Sequence, residues 1–150
     1  MSHINGEYNM ITTRIVKQII QSLNEKLELQ TVTLNLPRNI TSLLRQCEED
    51  GIITLNDFIV DSTRGYIAFS NSLVENAVLR RKSTQIEVIT LKFPRMVCRQ
   101  LAVISRALKV DKSDLVYTAL AHSIPPMLEE NQIFEDYAVE EALNVARGNN

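Results

Sequence analysis

Between Arg80 and Lys112 the chain carries nine lysines and arginines (Arg80, Arg81, Lys82, Lys92, Arg95, Arg99, Arg106, Lys109, Lys112) against two acids, Glu87 and Asp111. That segment holds a charge of +7, so the rest of a chain whose net charge is −2 holds −9. Charge sorted in this way implies a basic surface suited to an anion such as phosphate. Six acids with no basic residue between them (Glu129, Glu130, Glu135, Asp136, Glu140, Glu141) form a contrasting surface for a basic partner. The plainer reading is a solvated helix face beside a solvated tail. Other chemistry has little support. His3 and His122 have no partner at ligand spacing, so no metal is expected. Cys98 lies between Arg95 and Arg99, which would lower its pKa, although an inert thiol is the simpler expectation; Cys47 reads as a core residue. There is no glycine-rich phosphate loop, no H-E-x-x-H, no G-x-S-x-G and no convergent acid–base set. The expectation is a binding protein rather than an enzyme, with no cofactor.

The bulk composition places few limits beyond this. A chain of 150 residues, 45% apolar and 23% charged, is long enough for one domain over 1–150 with a real core. Few glycines and prolines and no tryptophan lean the composition toward helix. No apolar run approaches the length of a membrane span. The segment MSHINGEYNM lacks a basic cluster followed by an apolar stretch, so no secretory signal is expected. Two cysteines without metal spacing suggest a reducing compartment, with cytoplasm the default.

What must position the charges is a repeated unit. Thr31–Ile67 aligns without a gap on Val88–Ile124, at a constant shift of 57 residues. Identities fall at Thr33/Thr90, Leu34/Leu91, Pro37/Pro94, Arg38/Arg95, Leu44/Leu101, Asp57/Asp114 and Ile67/Ile124. The apolar positions agree further: Val32/Ile89, Leu36/Phe93, Ile40/Val97, Cys47/Ile104, Ile53/Val110, Phe58/Leu115 and Ile59/Val116. Two copies are too few for a solenoid and suggest paired halves that bury each other's apolar face.

Each copy begins with a period of two. Val32, Leu34 and Leu36 point inward and Thr31, Thr33 and Asn35 outward; in the second copy Ile89, Leu91 and Phe93 point inward and Val88, Thr90 and Lys92 outward. Pro37 and Pro94 end the strands. The period then lengthens: Ile40, Leu44 and Cys47, like Val97, Leu101 and Ile104, form one helical stripe. Gly51 stops the first of these helices; the second copy has Leu108-Lys109 there and must turn by other means. Thr54 and Asp111 then cap a second helix, with Asp57 and Asp114 three residues on. Its apolar positions are Phe58, Ile59, Ser62 and Tyr66, or Leu115, Val116, Ala119 and Ser123. A strand with two open edges cannot stand alone, so the two strands are expected to pair antiparallel within one core.

Three flanks complete the expectation. An N-terminal helix within 8–30 carries Ile11, Ile15, Ile19, Leu23 and Leu27 as a stripe that caps the core or joins two chains. The linker 68–87 contains a helix over Ser72–Lys82. Pro125-Pro126 closes the second repeat, and an acidic helical segment over 125–147 offers Ile133, Phe134, Tyr137, Leu143 and Ala146 as contacts. Gly148-Asn149-Asn150 is expected to fray.

Strand–proline–helix–turn–helix at this spacing, in TVTLNLPRNITSLLRQCEEDG…TLNDFIVDSTRGYI and again in ITLKFPRMVCRQLAVISRAL…DKSDLVYTALAHSI, resembles the ribbon-helix-helix superfamily of Arc, the methionine repressor and CopG-type regulators. The resemblance covers both repeats, 31–67 and 88–124, about half the chain. It implies a mainly α fold with a two-stranded antiparallel ribbon: a tandem ribbon-helix-helix pseudo-dimer with extra N-terminal, linker and C-terminal helices. The function it implies is sequence-specific binding of double-stranded DNA, the ribbon entering the major groove. Carried over by position, the base-facing side chains are Thr31, Thr33, Asn35, Val88, Thr90 and Lys92. The N-termini of the second helices (Thr54, Leu55, Asn56; Asp111, Lys112, Ser113) would hold phosphates. Arg38 and Arg95 would reach flanking phosphates, with Arg80, Arg81 and Lys82 and the second repeat supplying most of the grip. Unequal outward triplets imply an asymmetric DNA site in a transcriptional or plasmid-maintenance regulator.

The departures from the family pattern support a rival. Asp111 puts a negative charge where a phosphate should sit, the first strand has no outward basic residue, and Glu48, Glu49, Asp50, Asp57 and Asp61 make the first helix pair acidic. A protein–protein adaptor, or an antitoxin-like module with weak or no DNA binding, fits those features. A neutral, acidic or covered outer ribbon face would favour it. Association of two chains is left open.

Overall fold

The computed structural model describes residues 12–20, 28–69, 77–82 and 85–133. Two strands, β1 (Leu29–Pro37) and β2 (Ile86–Pro94), form one antiparallel ribbon. Each starts two residues earlier than the alternation predicts. Equivalent residues of the repeat, Thr33 and Thr90, face each other, and every other pair is arranged evenly about them, from Leu29 opposite Pro94 to Pro37 opposite Ile86. Both ends of the ladder close in the same way. The amide of Arg38 donates to the Gln85 carbonyl at 3.0 Å, and the amide of Arg95 donates to the Glu28 carbonyl at 2.7 Å. These are the first amides of α2 (Arg38–Glu49) and α4 (Arg95–Leu108), whose proline N-caps offer no side-chain bond. A donor that a helix leaves orphaned is thus used to finish a strand pair.

The turns that follow differ between the copies. Gly51 takes a left-handed backbone (φ +74°), and the Ile52 amide reaches the Cys47 carbonyl at 2.9 Å. Without a glycine, α4 runs on to Leu108 and Lys109 takes the left-handed conformation (φ 56°), at a cost of roughly 1–2 kcal/mol. The amide of Val110 then closes the turn on the Ser105 carbonyl at 3.0 Å.

The second helices are α3 (Leu55–Phe69) and α5 (Lys112–Glu130). On α3 the buried stripe is Leu55, Ile59, Val60, Thr63 and Tyr66; Phe58 and Ser62, expected on it, are half-buried. Pro125 and Pro126 do not close the second repeat, because α5 continues through both. They remove the amides that would bond Ala121 and His122, about 3 kcal/mol of helix disruption for an interior proline. Burial of Ile124, Met127 and Leu128 around them, about 1.5–3 kcal/mol for each large apolar side chain, offsets that cost. One apolar cluster draws on both repeats, with Leu34, Leu36, Ile40, Leu44, Phe93, Val97, Leu101, Leu115, Leu120 and Ile124 among its members.

The flanks depart most from expectation. Residues 12–20 are helical (α1), but Leu29 and Gln30 belong to β1 rather than to an N-terminal helix reaching 30. Ile15, Val16, Ile19 and Ile20 are 45–52% exposed, so this stretch does not seal the core; Ile11, Leu23 and Leu27 lie outside the described residues. Of the linker helix expected over Ser72–Lys82, residues 72–76 lie outside the described residues. Ala77 makes a short turn, and Leu79–Lys82 is not helical. Tertiary partners take the amides that a helix would use: Leu79 donates to Thr118 Oγ1 at 2.9 Å and Arg81 to Asp114 Oδ1 at 3.1 Å. At the other end Ile133 packs on the core; Phe134, Tyr137, Leu143, Ala146 and the final Gly148-Asn149-Asn150 lie outside the described residues.

Candidate nucleic-acid interface

The outward row of the ribbon is open. Thr31, Thr33, Asn35, Val88, Thr90 and Lys92 are all exposed, Val88 by 65%, and no described residue covers them. Lys92 is the only charge among the six. It lies opposite Thr31 and donates from Nζ to the threonine Oγ1 at 2.7 Å. The face is therefore exposed and carries one positive side chain, with hydroxyl and amide groups and one valine methyl pair presented from a paired ladder.

Two contacts fix that ladder to the second helices, and the repeat relates them. Asn56 of α3 donates from Nδ2 to the Lys92 carbonyl at 2.8 Å and accepts from the Lys92 amide at Oδ1 at 2.7 Å. Ser113 of α5, its counterpart 57 residues on, accepts from the Asn35 amide at 2.9 Å. Each helix thus holds the strand of the other copy. The Asn35 carbonyl is held by Arg81, which donates from Nη1 at 2.6 Å and from Nε to Asp114 Oδ1 at 2.7 Å. Arg81 also lies 3.5 Å from Asp111, and Arg80 lies 3.6 Å from Asp114.

These contacts reassign several side chains expected to grip phosphate. Asn56, Ser113 and Arg81 are used inside the fold, and Arg95 pairs with Glu28 at 2.9 Å. The two helix N-termini are also occupied. Asp111 accepts from the Ser113 amide at 2.7 Å, as its cap position predicts. Thr54 is exposed and gives α3 its backbone carbonyl, bonded by the Phe58 amide at 2.8 Å. The free Leu55 amide goes instead to the carboxylate of Glu48 at 2.6 Å. An internal carboxylate stands at each place where the family pattern would seat a phosphate. Arg38, Lys82 and Lys112 remain exposed beside the ribbon.

The sequence counts Glu48 and Glu87 only as acidic charge and gives Glu28 no role, whereas all three make specific contacts in the fold. Glu87 accepts from the Thr41 hydroxyl and from Arg45, joining the end of β2 to α2. The Thr41 hydrogen bond lowers the Glu87 pKa against the opposing effect of burial, helped by Arg45 and Arg38. The repeat itself could have flagged Glu87, since its counterpart is the neutral Gln30. Cys98 is the half-buried, unactivated thiol that the simpler expectation describes: burial pushes its pKa up, and the cation opposing that is Lys112 rather than the flanking arginines. Burial likewise raises Cys47, with Asp50 adding to it.

Among the described residues no group of three His, Cys, Asp or Glu side chains gathers as metal ligands, and no helix is long and apolar enough to cross a membrane. No protein-family model, curated protein or solved structure matches the chain.

Proposed function

We propose that the chain is a tandem ribbon-helix-helix pseudo-dimer that binds double-stranded DNA through the outer face of its ribbon, as a transcriptional or plasmid-maintenance regulator. The observation that carries this reading is the ladder's even register about Thr33 and Thr90, with its apolar row in the core and its polar row exposed. A two-stranded ribbon fits the major groove, where threonine and asparagine can bond base edges, Lys92 can bond guanine acceptors and Val88 can meet a thymine methyl. Because the two triplets differ, the preferred site is asymmetric. Arg38, Lys82 and Lys112 supply the phosphate contacts.

The test is binding to a random-sequence duplex library at two salt concentrations, followed by selection. Affinity falls steeply with salt, by a slope of about −0.9 per phosphate neutralised. Lys92→Ala and Thr33→Ala change the selected sequence, whereas Arg38→Ala weakens all sequences alike. Absence of any duplex binding at low salt refutes the reading. One observation favours a second reading, the adaptor or antitoxin-like module: Glu48 and Asp111 already occupy both helix N-termini. Under that reading low-salt binding is absent and the acidic surfaces engage a basic protein.

A further inference from the structure

Opposite in character to the polar ribbon face is a cleft between α3 and α5, of about 440 Å³, lined by Asp61, Ser62, Gly65, Tyr66, Ala119, His122 and Ser123. Its shape follows from how the repeat has diverged. At one pair of equivalent positions α3 has Gly65 where α5 has His122; at the next α3 has Tyr66 where α5 has Ser123. One ring from each helix meets the other, Tyr66 stacking on His122 with centroids 5.6 Å apart and planes 17° from parallel. One small residue from each helix leaves space beside them.

Gly65 is the informative residue. Glycine in a helix interior costs about 1 kcal/mol relative to alanine. Nothing in the backbone requires it, since its φ is not left-handed, and a Cβ built there meets no atom within 4 Å. The space above it is the cleft. The walls then define an occupant. A cavity of roughly 150 Å³ takes one benzene ring, so this cleft has room for one or two fused rings with a substituent. The exposed His122 ring offers a stacking surface and Ala119 an apolar wall. The Ser123 and Ser62 hydroxyls bond each other at 2.7 Å, and Ser123 also lies 3.5 Å from the Leu120 carbonyl, so the pair can rotate to donate to or accept from a ligand. Asp61 stands at the lining as an acceptor for a ligand N–H. We infer that this cleft binds a planar aromatic small molecule of one or two rings that carries a hydrogen-bonding group. The inference is independent of DNA binding.

Indole, which has such a ring system and one N–H, is the probe. Titrated into the full chain and followed by amide NMR, it moves the Ser62, Gly65, Tyr66, Ala119 and Ser123 signals saturably, in the millimolar range expected of so small a fragment. Gly65→Leu fills the space and weakens binding at least tenfold. Gly65→Ala, which favours the helix, raises the melting temperature while weakening indole only a few-fold, and so separates loss of space from loss of fold. Three results overturn the inference: no saturable shift up to the solubility limit, shifts centred elsewhere, or unchanged affinity in Gly65→Leu. Cleft signals that respond to protein dilution instead of indole also overturn it, since a second copy would then be the occupant.

Discussion

The two copies of the repeat share a backbone plan and differ in what they present to solvent. On α4 the outward row is Met96, Arg99, Val103 and Arg106, with Val103 65% exposed. The same row on α2 is Asn39, Ser42, Gln46 and Glu49. Position for position, the second copy is basic and apolar where the first is polar and acidic. The contrast reaches inward at one point. Asp57 of α3 is exposed, whereas its counterpart Asp114 is buried and gathers Arg80, Arg81 and the linker amide. The asymmetry therefore tracks the linker: the chain returning to β2 lies against α5, and nothing among the described residues does the same for α3. Repeats that must share one core keep their inward residues alike and diverge where only one of them meets an additional segment.

The largest effect is expected where the two copies agree most closely. Leu36 and Phe93 are equivalent and both fully buried. Leu36→Ala is expected to cost about 2–5 kcal/mol and Phe93→Ala about 3–5 kcal/mol, read by urea unfolding. A negligible cost for either would mean that the halves do not share one cooperative core.

Asp114→Ala against Asp57→Ala sharpens the asymmetry. Removing Asp114 leaves Arg81, 17% exposed, without its main partner, for an expected loss of about 2–4 kcal/mol. Removing the exposed Asp57 is expected to change stability by less than about 0.5 kcal/mol. Equal effects would undo the argument from the linker.

Smaller effects concern charge. Glu48→Gln and Asp111→Asn keep a hydrogen-bonding side chain at each helix N-terminus and remove its negative charge. If the ribbon binds DNA, each raises affinity by about 1 kcal/mol, roughly fivefold, and the double variant by more, measured by fluorescence anisotropy. Unchanged affinity in both would place the phosphates elsewhere. Smallest is a pH effect at the one carboxylate that ties β2 to α2, for which the other strand has the neutral Gln30. With its pKa lowered in the fold, Glu87 contributes stability that is present above about pH 4.3, the ordinary glutamate value, and is lost as pH falls through its folded pKa. Glu87→Gln is therefore less stable than the parent near neutrality, and the two unfolding curves converge below that range.

The repeat made much of the body legible. Alternation in Val32–Leu36 and Ile89–Phe93 specified strand faces, and a fixed offset specified which residues are equivalent; which residues oppose each other across the ladder was not legible, and of the equivalent pairs only Thr33 and Thr90 do so. Local signals failed where distant groups outbid them. The helical pattern of Ser72–Lys82 gives way over 77–82 because Thr118 and Asp114 take the amides of Leu79 and Arg81. The stop signal of Pro125-Pro126 gives way because α5 has apolar residues to bury beyond it. At the candidate interface the exposed threonines, Asn35, Val88 and Lys92 follow directly from period two. The use of Asn56, Ser113 and Arg81 as internal ties does not, because a side chain that can bond phosphate can equally bond a neighbouring backbone, and composition does not distinguish the two.

Because β1 and β2 come from one chain, no encounter between molecules is needed to complete the ladder. Thermal unfolding of this body is accordingly expected to be independent of protein concentration, whereas an assembly that borrows its second strand weakens on dilution. A covalently joined pair also escapes the rule that a substitution appears on both sides at once. Thr31 can change while Val88 stays, and the two edges of the ribbon are free to acquire separate preferences.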